Sequence, residues 1–208
     1  MPTRRHALLA LLALGGCAGQ GTTRTGFLTS YDAMAPTPAR THDQIFVAPA
    51  YARAQYTHVI IDPVAWHPAP DSPPRSPEEI AELTEAFQRS LAEQLGKDFT
   101  LLEPVAAQAG PATLRVRAAI TNTRRANWWI NLPAQVAGLP PPNPGGASLE
   151  LEALDAATNQ RLVAIATYAN GVPWAPLGYY RRFGHAQRAF GLAAGLLREN
   201  LVPEVTGE

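Results

Sequence analysis

Two runs of residues that alternate in polarity constrain this chain more than any other feature. Leu114, Val116, Ala118 and Ile120 alternate with Thr113, Arg115, Arg117 and Thr121, and Leu149, Leu151 and Ala153 alternate with Ser148, Glu150 and Glu152. A period of two puts the apolar side chains of each run on one face, the mark of an antiparallel strand with one buried side. The segment Asp155-Ala156-Ala157-Thr158-Asn159-Gln160 then supplies a hairpin turn, in which Asp can bond the turn backbone and Asn159 tolerates a left-handed conformation. Arg161–Tyr168 returns as the partner strand. Arg115 and Arg117 are placed to pair across strands with Glu150 and Glu152.

Shorter elements surround this core. Ile45-Phe46-Val47 and Thr57–Ile61 are β-branched and apolar, and Asp62-Pro63 closes the second. After a proline-rich loop from Pro68 to Pro77, Ser76-Pro77-Glu78-Glu79 has the residues of a helix start: a serine cap, proline in the first turn and carboxylates at the positive end of the dipole. Ile80, Leu83, Phe87, Leu91 and Leu95 form one apolar stripe with Gln88 exposed beside it, and Gly96 ends the helix. Phe99–Leu102 is a short strand. A last helix, from about His185 to Leu201, carries Phe190, Leu192, Leu196, Leu197 and Leu201. Its small residues, Gly191 and Gly195 among them, suit close packing on a sheet better than a membrane dimer face. The expected fold is α/β of the α+β type: two layers, a mainly antiparallel sheet of four or five strands, and two main helices on one face.

The N-terminus has a separate logic. Arg4 and Arg5 precede the apolar run Ala7–Leu14, which is followed by Gly15, Gly16 and the only cysteine, Cys17. The run is far shorter than the about 20 residues of a membrane span, but it has the order of an export signal. Leu14-Gly15-Gly16-Cys17 resembles the lipobox of bacterial lipoproteins, whose cysteine is lipidated and becomes the first mature residue. A lone cysteine in an exported chain would otherwise be a free thiol in an oxidising compartment. One acyl chain anchors marginally, whereas the three carried by such lipoproteins hold firmly. Ala18 in place of aspartate after the cysteine implies delivery to the outer membrane. The division expected is a signal peptide over 1–16, a lipidated N-terminus and flexible tether over 17–41, one domain over 42–202 and a tail over 203–208. Within the tether, Gly26-Phe27-Leu28-Thr29-Ser30-Tyr31 is too apolar for water and should dock on the domain.

About 190 residues remain after cleavage, enough for one sizeable core. Their fifteen basic and seventeen acidic residues give a net charge of −2, which argues against a nucleic-acid partner. No nucleophile elbow, phosphate loop, zinc-binding His-Glu-x-x-His or paired-cysteine site occurs. The histidines His6, His42, His58, His67 and His185 are scattered, and His58 reads as a rim or partly buried strand residue. Catalytic residues, metal ligands and cofactors are therefore all expected to be none. The long connection Thr123–Gly146 holds Trp128, Trp129 and Ile130 before a run of prolines. These side chains either form an interaction surface for a membrane or protein partner, or fold back over the open face of the sheet.

Together these pieces resemble a bacterial lipoprotein family, domain of unknown function 3313. The matching features are the lipobox ending at Cys17, the Gly26-Phe27-Leu28-x-x-Tyr31 island, the Ile60-Ile61-Asp62-Pro63-Val64 strand end, the Asp155-x-x-Thr158 hairpin and the closing helix. Asn159 stands where glycine would be usual. The resemblance implies an envelope lipoprotein and carries over no catalytic residue. The function expected is that of a non-enzymatic lipoprotein on the periplasmic face of the outer membrane, held there by its lipid, that binds or supports another envelope protein or component. A periplasmic hydrolase or small-ligand binder, and a subunit of a transport or secretion assembly, are the alternatives.

Overall fold

The computed structural model describes residues 22–37, 40–104, 110–124, 136, 145–170 and 183–202. Its strands are β1 (Ala35–Thr37), β2 (Arg40–Val47), β3 (His58–Ile61), β4 (Ala65–Trp66), β5 (Thr100–Leu102), β6 (Thr113–Arg124), β7 (Gly146–Asp155) and β8 (Arg161–Asn170). Among the described residues the long helices are α1 (Pro77–Leu95) and α2 (Gly184–Leu201). All eight strands form one mixed sheet in the order β1-β2-β8-β7-β6-β3-β5, with β4 running beside β6 beyond the end of β3. The pairs from β1 through β8 and β7 to β6 are antiparallel, while β3 is parallel to both β6 and β5. A parallel pair needs a crossover, and α1 supplies it between β3 and β5. Among the described residues the sheet is thus mainly antiparallel with two long helices, but eight strands replace the four or five expected. β1 and β4 span three and two residues, too few to display a period.

Local chemistry sets the element ends. Asp155 Oδ1 accepts from the amides of Ala157 (3.0 Å) and Thr158 (2.8 Å), and Asn159 takes the left-handed conformation at φ 57°, as the turn sequence predicts. At the start of α1 the Ser76 side chain accepts from the Glu79 amide while the Glu79 side chain accepts from the Ser76 amide, a full capping box. Gly96 ends α1, as the sequence predicts, and does so in the right-handed region. Its φ is −64°, and glycine serves for space, since a Cβ would lie 2.8 Å from the Ala92 carbonyl oxygen.

The core lies between the helices and one face of the sheet. Leu83, Phe87, Leu91 and Leu95 of α1 and Phe190, Leu197 and Leu201 of α2 are fully buried against Val59, Leu114, Val116, Leu149, Leu151 and Ile165. The rings of Phe87 and Phe190 stack between the helices with centroids 5.0 Å apart. Gln88 is not an exposed neighbour of that stripe. Its Oε1 accepts from the Val64 amide at 3.0 Å and its Nε2 donates to the Ile61 carbonyl at 3.4 Å, tying α1 to the link between β3 and β4.

The opposite face departs from the half-buried pattern read in the sequence. Ser148, Glu150 and Glu152 on β7, and Thr121 on β6, have no appreciable exposure. The cover is the N-terminal segment from Thr22 onward, so the stretch expected as a tether through residue 41 instead packs on the sheet and enters it as β1 and β2. A second cluster holds it there: Leu28 and Met34 against Ala164 and Ala166 of β8, with Phe27, Tyr31 and Phe46 at its edge. Three apolar side chains leaving water together, and carboxylates that need donors, account for the docking.

Candidate functional site

Residues 22–37 form a strap across β6, β7 and β8, and two glutamates fasten it. Glu150 and Glu152 project from alternate positions of β7 onto the strap side. Carboxylates removed from water require hydrogen-bond donors, and the strap provides them. Glu150 Oε1 accepts from the Thr25 amide at 2.9 Å and from the hydroxyls of Thr23 and Thr25, both at 3.2 Å, while Oε2 accepts from the Tyr31 hydroxyl at 2.5 Å. Glu152 accepts from the Thr29 amide (2.9 Å), the Thr29 hydroxyl (3.0 Å) and Arg117 Nη1 (2.7 Å). Burial, reinforced by the bond to Glu150, raises the Tyr31 pKa above 10, so the phenol remains the donor at ordinary pH.

Each member of the Gly26-Phe27-Leu28-x-x-Tyr31 island has a place in this lock. Gly26 adopts φ 86°, a conformation open to glycine, and donates its amide to the Tyr31 hydroxyl at 2.9 Å. Phe27 lies under the Arg117 guanidinium, 5.1 Å from ring centroid to cation, and beside His67. Leu28 fills the apolar pocket on β8. Downstream, Arg161 donates to the carbonyls of Ser30 and Asp32.

Two clefts open beside these elements. On the strap side a cleft of about 470 Å³ is walled by Phe27, Ile60, Pro63 and Pro104 and floored by Arg115 and Arg117. Arg115 Nε bonds both Asp62 oxygens, at 2.9 and 3.1 Å. On the helix side a groove of about 440 Å³ runs between α1 and the edge strand β5, lined by Val59, Ile61, Val64, Gln88, Leu101 and others, with Leu101 exposed at its rim.

The expected cross-strand pairs are half realised. Arg117 stands opposite Glu152 and bonds it, but Arg115 stands opposite Leu154 and turns to Asp62, leaving Glu150 to the strap. The histidines do not converge. His42 lies near Tyr168, His58 is half-buried with its Nδ1 2.8 Å from the Thr57 hydroxyl, and His67 reaches the Thr25 carbonyl at 3.2 Å. His185 is buried, and that burial, with the charge of Arg188, lowers its pKa. Among the described residues no group of three His, Cys, Asp or Glu could hold a metal, and no helix is long and apolar enough to cross a membrane. Cys17 and the Trp128-Trp129-Ile130 group lie outside the described residues. The reading by period missed Glu150, Glu152 and the Arg115–Arg117 cleft, because a polar residue on an alternating strand looks solvent-facing. The one available signal was the apolar island, which announced that something would cover that face.

No curated protein matches the sequence. Among solved structures the chain is similar to the PelC dodecamer from Paraburkholderia phytofirmans, at 12% identity and TM-score 0.46, over 74% of this chain and 96% of that one. It is also similar to a hypothetical protein from Chlamydia trachomatis, at 16% identity and TM-score 0.41, over 70% and 98% of the two chains. A DUF330 protein from Xanthomonas campestris gives 12% identity and TM-score 0.41, over 74% and 89%. The sequence itself decides the family: the model for DUF3313, a protein of unknown function, matches residues 23–176, which takes in the strap, all eight strands and α1, and the chain belongs to that family.

Proposed function

We propose that this chain is a lipid-anchored, non-enzymatic protein of the bacterial envelope, tethered through Cys17 to the periplasmic face of the outer membrane, where it binds or supports another envelope component. The observation that carries this reading is the position of the strap. Thr23, six residues beyond Cys17, already bonds Thr121 at 2.6 Å. An anchored cysteine would hold the domain against the bilayer through a span of at most about 22 Å. Such a domain presents fixed faces to the membrane and to neighbouring envelope proteins. The test is metabolic labelling with an acyl analogue. The wild-type chain should take up label and fractionate with outer membranes, and Cys17→Ser should lose both. Label retained by Cys17→Ser would exclude this anchor.

The Trp128-Trp129-Ile130 loop is the proposed contact surface on the partner side, because adjacent indoles combine large apolar area with a polar edge. Replacing Trp128 and Trp129 with serine should abolish crosslinking to a partner in intact envelopes and shift the melting temperature by less than about 2 °C. A drop of more than about 10 °C, corresponding to several kcal/mol, would instead make them core residues covering the sheet.

A further inference from the structure

We infer that the cleft beside the strap is a binding site for a phosphate group carried on an apolar body. Arg115 and Arg117 occupy alternate positions of β6, so both side chains rise from the same face about 7 Å apart. Each is steered by a carboxylate that engages only one of its nitrogens. Arg115 uses Nε toward Asp62, and Arg117 uses Nη1 toward Glu152. A guanidinium has five donors, so both Nη groups of Arg115, and Nε and Nη2 of Arg117, remain available. Neither group is sealed from solvent: the side chains are 47% and 37% exposed.

Apart from Asp62, whose carboxylate lines the cleft while it holds Arg115, the walls are apolar, with Phe27, Ile60, Pro63 and Pro104 the largest side chains. Phe27 also holds the Arg117 plane from below, which fixes the fork before any ligand arrives. Two oriented guanidinium forks over an apolar wall recognise an oxyanion with hydrocarbon attached, and guanidinium geometry matches phosphate in a bidentate manner. The phosphate could belong to a lipid headgroup or to a free phosphorylated molecule. The headgroup arm rests on the lipid-anchored reading above, in which the strap keeps this cleft near the bilayer. The phosphate chemistry rests on the cleft alone.

The experiment uses the full chain with Cys17→Ser, so that no acyl chain confuses the result. Inorganic phosphate is titrated with backbone resonances as readout, and binding to phosphatidylglycerol vesicles is compared with binding to vesicles of digalactosyldiacylglycerol, an uncharged bilayer lipid that has no phosphate. Phosphate should bind saturably, shifting resonances of Phe27, Ile60, Arg115 and Arg117. Arg115→Gln should weaken it about tenfold or more, and Arg115→Lys less than that, since lysine keeps the charge but loses the fork. Arg115 is the residue to change, because Arg117→Gln would take from buried Glu152 the cation that bonds it, leave it only its bonds to Thr29, and disturb the strap. An unchanged thermal midpoint in Arg115→Gln establishes that the fold is intact. Vesicle binding that depends on phosphatidylglycerol and on Arg115 assigns the site to a headgroup. Phosphate binding that needs Arg115, with vesicle binding that does not, assigns it to a soluble phosphorylated ligand. No saturable shift at these residues, or equal affinity in wild type and Arg115→Gln, overturns the proposal. Failure of acyl labelling at Cys17 would remove the anchored reading and leave the phosphate titration standing.

Discussion

Phe87→Ala should lower the stability of the domain by about 3–5 kcal/mol, the largest effect of any single truncation on α1. The side chain is fully buried and its ring stacks on Phe190, so the change removes apolar contact with the sheet and the aromatic pair that joins the two helices. A cavity there has few means of collapse, because Leu83 and Leu91 on either side are themselves fully buried in the same core. Two neighbours calibrate the measurement. Arg89 is mostly exposed, and its pair with Glu85 at 3.8 Å is a surface interaction, so Arg89→Ala should cost under about 0.5 kcal/mol. Gln88→Ala should fall between them at about 1–2 kcal/mol, since it removes two part-buried hydrogen bonds, to the Val64 amide and the Ile61 carbonyl, that water can partly replace. Urea denaturation reads all three, and coincident midpoints for Phe87→Ala and Arg89→Ala would place the core on a different face of α1.

That middle value shows where reading by period stops. The spacing of Leu83, Phe87, Leu91 and Leu95 is decided by the helix itself, so one turn of the chain implies the next and the buried stripe was legible. The hairpin at Asp155 was legible for the same reason, as its chemistry lies within six residues. Gln88 was not, because its partners lie more than twenty residues away in a connection with no regular pattern. The polar face of β7 was misread on the same grounds. Alternation states which side chains share a face, and it carries no information on what comes from elsewhere to cover that face. Glu150 and Glu152 look like solvent-facing residues until the strap, over 120 residues earlier in sequence, is placed on them.

The strap makes the second large prediction, and its size depends on how the strap fails. Glu150→Ala removes the acceptor of the Thr25 amide and the Tyr31 hydroxyl at once, and each buried donor left unpaired costs about 1–3 kcal/mol. If the strap stayed docked, the full penalty of about 2–6 kcal/mol would fall on global stability. It has an easier course, which is to lift from the sheet and let water satisfy both donors. The loss is then limited to the docking free energy of residues 22–37, and local opening falls to lower free energy than global unfolding. The expected result is therefore selective. Amide exchange at Thr25 and Thr29 should accelerate by about a hundredfold, equivalent to roughly 2.7 kcal/mol, while amides of β7 and β8 keep most of their protection. Tyr31→Phe should produce a smaller acceleration at the same amides, and adding it to Glu150→Ala should change little, because both substitutions break the one shared hydrogen bond. Additive effects would mean that Tyr31 and Glu150 stabilise the strap independently. Unchanged exchange at Thr25 in Glu150→Ala would mean that the apolar anchors Leu28 and Met34 hold the strap without the carboxylate. The selective outcome would make Glu150 the fastening that fixes the N-terminal strap to the face of the sheet beside the arginine cleft.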